Sequence, residues 1–296
     1  MVLNHEKRDN KQLNLRKGWS VLISAVLIFS TLTLLTNVKP VNSAVDSYSE
    51  DFTTTTNMDP SNTNVSGWGS GNINLPWITL FNPTPLTGFY DTPGEARGVF
   101  VSGDYAYVAD WGSGLQVVDI SDPTHPSLAG SYDTPGNAQG VFVSGDYAYI
   151  ADAGSGLQVV DISDPLNPIN ASAYDTPSLA FGVFVSGDYA YVADWGSGLQ
   201  VVDISDPANP TFAGSYDTPN IARCVFVSGD YAYVADGGSG LQILYINYLL
   251  IPSNASAYDT PDDAWGVFVS GDYAYVADWG SGLQVVDISD PLNPIN

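Results

Sequence analysis

At 296 residues the chain is long enough for one large all-β domain or two ordinary ones with a sizeable core. Its 32 acidic residues against 8 basic ones give a net charge of −24, and every acid except Glu6, Glu50 and Glu95 is Asp. Asp, with 29 Gly and 19 Pro, favours turns, while the Glu and Lys of exposed helices are scarce, so a mostly helical protein is excluded. After residue 44 the only bases are Arg97 and Arg223, which leaves no basic stripe to displace counterions, so nucleic acid is not expected as a partner. One Cys (Cys224) and two His (His5, His125) are too few for a disulfide framework, a Cys/His zinc site or a Ser-His-Asp triad. Neither a metal nor a cofactor is expected.

The chain opens with Lys7, Arg8, Lys11, Arg16 and Lys17, followed by the uncharged stretch 18–38 with its apolar heart at 21–35. This reads as an export segment over 1–43, with Val41 and Ser43 placed for cleavage before Ala44. The alternative is an uncleaved signal anchor, since a stretch of that length just spans roughly 30 Å of hydrocarbon at about 1.5 Å per residue. Either way the rest of the chain is expected to be secreted or held at the cell surface, touching the membrane only through 18–38 if uncleaved. Residues 44–84 are rich in Ser, Thr, Asn and Gly and read as a solvated linker, in which Trp68, Trp77, Ile78 and Leu80 are the residues suited to a docking strand or plug.

From residue 85 the chain repeats. Tyr-Asp-Thr-Pro recurs at Tyr90, Tyr132, Tyr174, Tyr216 and Tyr258 with a constant period of 42, and 98–123, 182–207 and 266–291 are identical. Within a unit, four β-type runs (98–101, 105–109, 115–120 and 127–132) are separated by Ser-Gly-Asp, Gly-Ser-Gly and Ser-Asp-Pro turns. Four antiparallel strands per unit make a propeller blade, so 85–296 is expected to be an all-β propeller of about five blades. Both faces of Tyr105–Ala109 are uncharged, as a strand covered by neighbouring blades requires.

The LQVVDISDP segment, preceded by GDYAYVAD and followed by a Pro-containing turn, resembles the LVIVD-repeat family of exported bacterial and archaeal β-propellers. The resemblance covers about 86–296. It implies a propeller of cell-surface type and brings no catalytic residues with it. The sequence ends at Ile295-Asn296, in register with Ile169-Asn170, and 85–90 align with 127–132. The spare strand at the start is therefore expected to complete the last blade and close a five-blade ring, the alternative being a piece of a ring of six or more blades.

The candidate chemistry is sparse. Asp occurs at fixed places in the units, Asp91, Asp104, Asp110, Asp119 and Asp122 in the first, and these read as turn formers ahead of calcium ligands or a glycosidase pair, because no D-x-D-x-D-G run is present. His125 fills a turn slot held elsewhere by Asn167 and Asn209, and Cys224 replaces a Gly as a small buried thiol. Asn64, Asn170 and Asn254 begin N-glycosylation triplets. The run 243–251 loses the turn signal and reads either as an outer apolar docking patch or as a local reading-frame slip.

Two slots vary on an otherwise constant frame. One reads Arg97, Gln139, Phe181, Arg223, Trp265; the other reads Trp111, Ala153, Trp195, Gly237, Trp279. Strand counting puts both on one mouth of the ring, so Arg97, Trp111, Gln139, Phe181, Trp195, Arg223, Trp265 and Trp279 are the expected ligand-binding set. The expectation is a non-catalytic binding or adhesion module for an extracellular protein or glycan. The alternatives are a carbohydrate-active propeller enzyme using channel-mouth Asp residues and a structural surface-layer component.

Overall fold

The computed structural model describes residues 87–247 and 251–296. The export segment, the linker and Asn64 lie outside the described residues. Thr87–Asn296 forms one compact unit of five antiparallel sheets.

Blade 1 is β1 (Gly98–Ser102), β2 (Tyr105–Ala109), β3 (Leu115–Asp119) and β4 (Ser127–Tyr132). Blade 2 is β5 (Gly140–Ser144), β6 (Tyr147–Ala151), β7 (Leu157–Asp161) and β8 (Ile169–Tyr174). Blade 3 is β9 (Gly182–Ser186), β10 (Tyr189–Ala193), β11 (Leu199–Asp203) and β12 (Thr211–Tyr216). Blade 4 is β13 (Cys224–Ser228), β14 (Tyr231–Ala235), β15 (Leu241–Tyr245) and β16 (Ser253–Tyr258). Blade 5 is β17 (Ala264–Ser270), β18 (Tyr273–Asp278) and β19 (Gly282–Asp287), with a 3-10 turn at Trp279–Ser281. Each blade is a meander in sequence order, and the expected all-β propeller is the observed fold.

The hairpin between β1 and β2 shows why the turns fall where they do. Ser102 pairs with Tyr105, leaving a two-residue loop whose first residue, Gly103, sits at φ 59°. Only Gly adopts that conformation without strain, and such a turn matches the twist of the flanking strands.

The core lies between blades. Tyr107, Ala109, Leu115 and Val117 of blade 1 pack on Val141, Val143, Ala148 and Ile150 of blade 2, and the same residue types meet at the next three junctions. β6, β10 and β14 are accordingly buried on both faces. The first strands of the blades lie side by side, and Phe100, Phe142, Phe184, Phe226 and Phe268 follow one another at 4.7–4.9 Å between ring centroids. Burying one such side chain stabilises by roughly 1.5–3 kcal/mol, and the repeat multiplies that term without disulfides.

The expected pairing of the N-terminal strand with the last blade is not made. Among the described residues β19 is the edge of its sheet, and 87–90 pair with no strand. Instead Gly88 is lodged against Pro123 and Pro126 of blade 1, just as Gly130 of β4 is lodged against Pro165 and Pro168 of blade 2. Residues 87–90 thus occupy the outer-strand place of a blade preceding blade 1, but blade 5 does not come round to meet them. Val99 is 61% exposed where Val141 is 8%, and Leu283 is 65% exposed where Leu115 is 0%.

The apolar run from 243 also differs from expectation. Ile243 and Leu244 are fully buried in β15, in register with Val117 and Val118, so they are core rather than patch. Ile251 is exposed, and 248–250 lie outside the described residues.

Candidate functional site

The two variable slots are brought together by backbone pairing between blades. Trp111 exchanges two hydrogen bonds with Ala138, its N–H donating at 3.1 Å and its carbonyl accepting at 3.0 Å. Ala153 with Ala180, Trp195 with Ala222 and Gly237 with Ala264 do the same. Because each Ala precedes a residue of the first slot, the second slot of one blade lies beside the first slot of the next.

The outcome is a row of interleaved side chains on one face. Arg97 stacks over Trp111 with 4.5 Å from the guanidinium carbon to the ring centroid. Gln139 and Ala153 of blade 2 are small or buried and interrupt the row. It resumes with Phe181 against Trp195, centroids 4.6 Å apart. Arg223 then lies between two rings, 4.9 Å from Trp195 and 3.8 Å from Trp265, and Trp265 stacks on Trp279 at 4.8 Å. A side chain at Gly237 would first meet Asn220 and Ile221. Of the expected set, seven side chains therefore engage one another, and Gln139 is the one that does not.

The backbone under this row is strained. Trp111, Ala153, Trp195 and Trp279 have φ of 48°, 42°, 44° and 27°, and they are the described non-Gly residues at positive φ. Blade 4 places Gly237 in the same slot at φ 50°, which is the relaxed solution. Holding a non-Gly residue in the left-handed region costs about 1–2 kcal/mol, so three Trp are retained against a local preference for Gly.

Electrostatically the face is mixed. Burial between the rings pushes the Arg223 guanidinium below its usual range, and Asp263 opposes that shift. Arg223 Nε is buried without a hydrogen-bond partner. Arg97 is exposed and pairs with Glu95 at 2.5 Å, a contact that water screens.

The repeated acids separate into two groups that the sequence did not distinguish. Asp119, Asp161, Asp203 and Asp287 are turn formers as expected, each accepting the backbone N–H two residues on. His125 behaves as its slot predicts, its Nδ1 lying 3.0 Å from Asp122 Oδ2 where Asn167 Nδ2 donates to Asp164. Asp110, Asp152, Asp194 and Asp236 are instead wholly buried. Each accepts the hydroxyl of the Thr in the preceding Tyr-Asp-Thr-Pro (Thr92, Thr134, Thr176, Thr218) and a backbone N–H two residues after that Thr. The constant Thr-to-Asp spacing was the available signal. In blade 5 the pattern fails: Thr260 donates to the Asp262 carbonyl, and Asp278 Oδ1 is buried without a donor.

Cys224 is partly buried, and burial pushes its thiol up from the usual range. Among the described residues no three His, Cys, Asp or Glu converge as metal ligands, and no helix is long and apolar enough to cross a membrane.

A family model for the LVIVD repeat matches 93–134, 135–176, 179–218, 220–259 and 261–296. The fold is similar to the crystal structure of the computationally designed Ika8 protein, at 7% identity and a TM-score of 0.51 over 69% of this chain and 74% of that one. It is also similar to a functionally unknown protein from Desulfotomaculum acetoxidans DSM 771, at 17% identity and a TM-score of 0.53 over 68% of this chain and 71% of that one. No curated protein matches the sequence. At these identities the solved structures speak for the fold alone.

Proposed function

The chain belongs to the LVIVD-repeat family, and from that premise we propose that it is an exported, non-catalytic module that binds a protein or glycan at the cell surface. The observation that carries this reading is the placement of Trp111, Trp195 and Trp279 at positive φ, in a slot where Gly237 fits without strain. At Trp279, which is 67% exposed, packing is limited to one face stacked on Trp265. Strain retained at the surface of a constant frame is the mark of residues kept for contact. Trp faces stack on sugar rings and on apolar side chains, while Trp and Arg are enriched among interface hot spots. Export rests on the 1–43 segment. The non-catalytic reading is supported by the buried carboxylates at 110, 152, 194 and 236, whose oxygens are committed to Thr hydroxyls and backbone N–H groups rather than to an open mouth.

The test is a screen of glycans and surface proteins with wild type and a Trp265→Ala, Trp279→Ala variant in parallel. Both residues are exposed, so the variant should melt with the wild type. A ligand that uses the face should bind the variant at least tenfold more weakly, about 1.4 kcal/mol. Equal binding by the two proteins would place recognition elsewhere.

A further inference from the structure

Each blade of this protein has two apolar faces, and four junctions show how they fit. The leading face presents the residues of Tyr107, Ala109, Leu115 and Val117 type, and the trailing face presents those of Val141, Val143, Ala148 and Ile150 type. Two faces have no such partner among the described residues. Blade 5 exposes its leading face, with Leu283 at 65% and Val285 at 39% where Leu157 and Val159 are at 0%. Blade 1 exposes its trailing face, where Val99 stands open beside a hollow of about 420 Å³ lined by Phe89, Ala106, Val108 and Val118.

These two faces are copies of surfaces that already pack together inside the molecule. Residues 98–123 and 266–291 are identical in sequence, so blade 5 offers blade 1 the same leucine and valine that blade 1 offers blade 2. Their strands are complementary as well. Ile295 pairs with Asp287 as Ile169 pairs with Asp161, which begins a fourth strand on β19. Residues 87–90 wait in the outer-strand place beside blade 1, held there by Gly88 against Pro123 and Pro126. Within one chain the two faces stay apart, since Val99 and Leu283 are open in the same structure.

We propose that the open face of blade 5 in one copy docks on the open face of blade 1 in a second copy, head to tail. The incoming 87–90 segment extends the fourth strand begun by Ile295, and the new junction repeats the four internal ones. The contact is heterologous, so two copies either close on each other or continue into a chain of copies. Net charge of −24 opposes the approach of two copies, and added salt screens that repulsion and strengthens the association.

Sedimentation of the full chain with two variants, Val99→Lys and Leu283→Lys, tests this. Both side chains are exposed in the single copy, so each variant should fold as the wild type does, and Lys lowers the net negative charge rather than adding to it. Wild type is expected to sediment as a dimer or larger, increasingly so at higher salt, and each variant alone as a monomer. A mixture of the two variants is expected to give a one-to-one dimer and nothing larger, because each supplies the face that the other lacks. Wild type that stays monomeric at high protein concentration and high salt would overturn the proposal and favour closure within one chain. Variants that associate as strongly as wild type would equally overturn it, placing any association on another surface.

Discussion

Asp194→Ala, like the same change at Asp152 or Asp236, is expected to destabilise the protein by about 2–4 kcal/mol. Asp194 is fully buried and accepts the Thr176 hydroxyl at 2.7 Å and the Ser178 N–H at 2.9 Å. Its removal leaves both donors without partners, at about 1–3 kcal/mol for each group stranded away from water. Relief of the buried charge offsets part of this. Asp278→Ala should cost distinctly less, because Thr260 has turned to the Asp262 carbonyl and Asp278 Oδ1 has no donor to lose. Urea denaturation of the two variants checks the difference. Equal losses would mean that the Thr hydroxyl contributes little and that the carboxylate acts through its backbone contacts.

The second large effect is on the pH dependence of stability. Burial raises the pKa of Asp152, Asp194 and Asp236 above the ordinary 3.8, against opposing hydrogen bonds from Thr134, Thr176 and Thr218. A carboxyl that holds its proton more tightly when folded stabilises the fold as pH falls toward 3.8 and loses that contribution as pH rises through the raised value. The exposed turn acids work the other way. Hydrogen bonds from Ser121, Ser163, Ser205 and Ser289 lower Asp119, Asp161, Asp203 and Asp287, and the Thr124 hydroxyl foremost, with His125, lowers Asp122 to about 2. Their contribution is present above 3.8 and disappears as pH falls through the lowered values. Acidification also relieves the self-repulsion of a chain at −24. Tm should therefore rise by roughly 5 °C from pH 7.5 to a maximum near pH 4–5, then fall below about pH 3. A maximum at neutral pH would show that the buried carboxylates are stabilised by their donors more than they are penalised by burial.

The blades were legible because every local signal agrees. Turn residues, two-sided apolar strands and a constant period all specify the same meander, and the observed β1 and β3 end within one residue of the runs read from 98–101 and 115–120. The variable slots were legible for the converse reason, since three identical copies of 98–123 make any departure stand out. The left-handed backbone beneath them was not. Trp111, Ala153 and Trp195 conceal a conformation that only Gly237 advertises, and it is imposed by the two hydrogen bonds to the next blade rather than by local preference, whereas Trp279 adopts it within a 3-10 turn. The buried Asp residues were hidden likewise, because Asp110 and Asp122 both stand in a turn that follows a strand while only Asp110 meets a Thr from the preceding turn. Ring closure was illegible because it depends on the angle between blades, which neither periodicity nor strand alignment encodes.

The central claim is that the Trp residues of the strained slot are kept for contact with a ligand rather than for packing. Trp195→Gly tests it most directly, since Gly237 shows that the frame accepts Gly at this position. The substitution removes the stacking of Trp195 with Phe181 and Arg223 and releases the strain at φ 44°, two effects of similar size and opposite sign. Measured together by urea denaturation and titration with a ligand found in the screen, the variant is predicted to keep its stability within about 1 kcal/mol and to lose at least tenfold in affinity. Unchanged affinity with a stability loss of about 2 kcal/mol or more would contradict the account and make the row of rings part of the packing between blades.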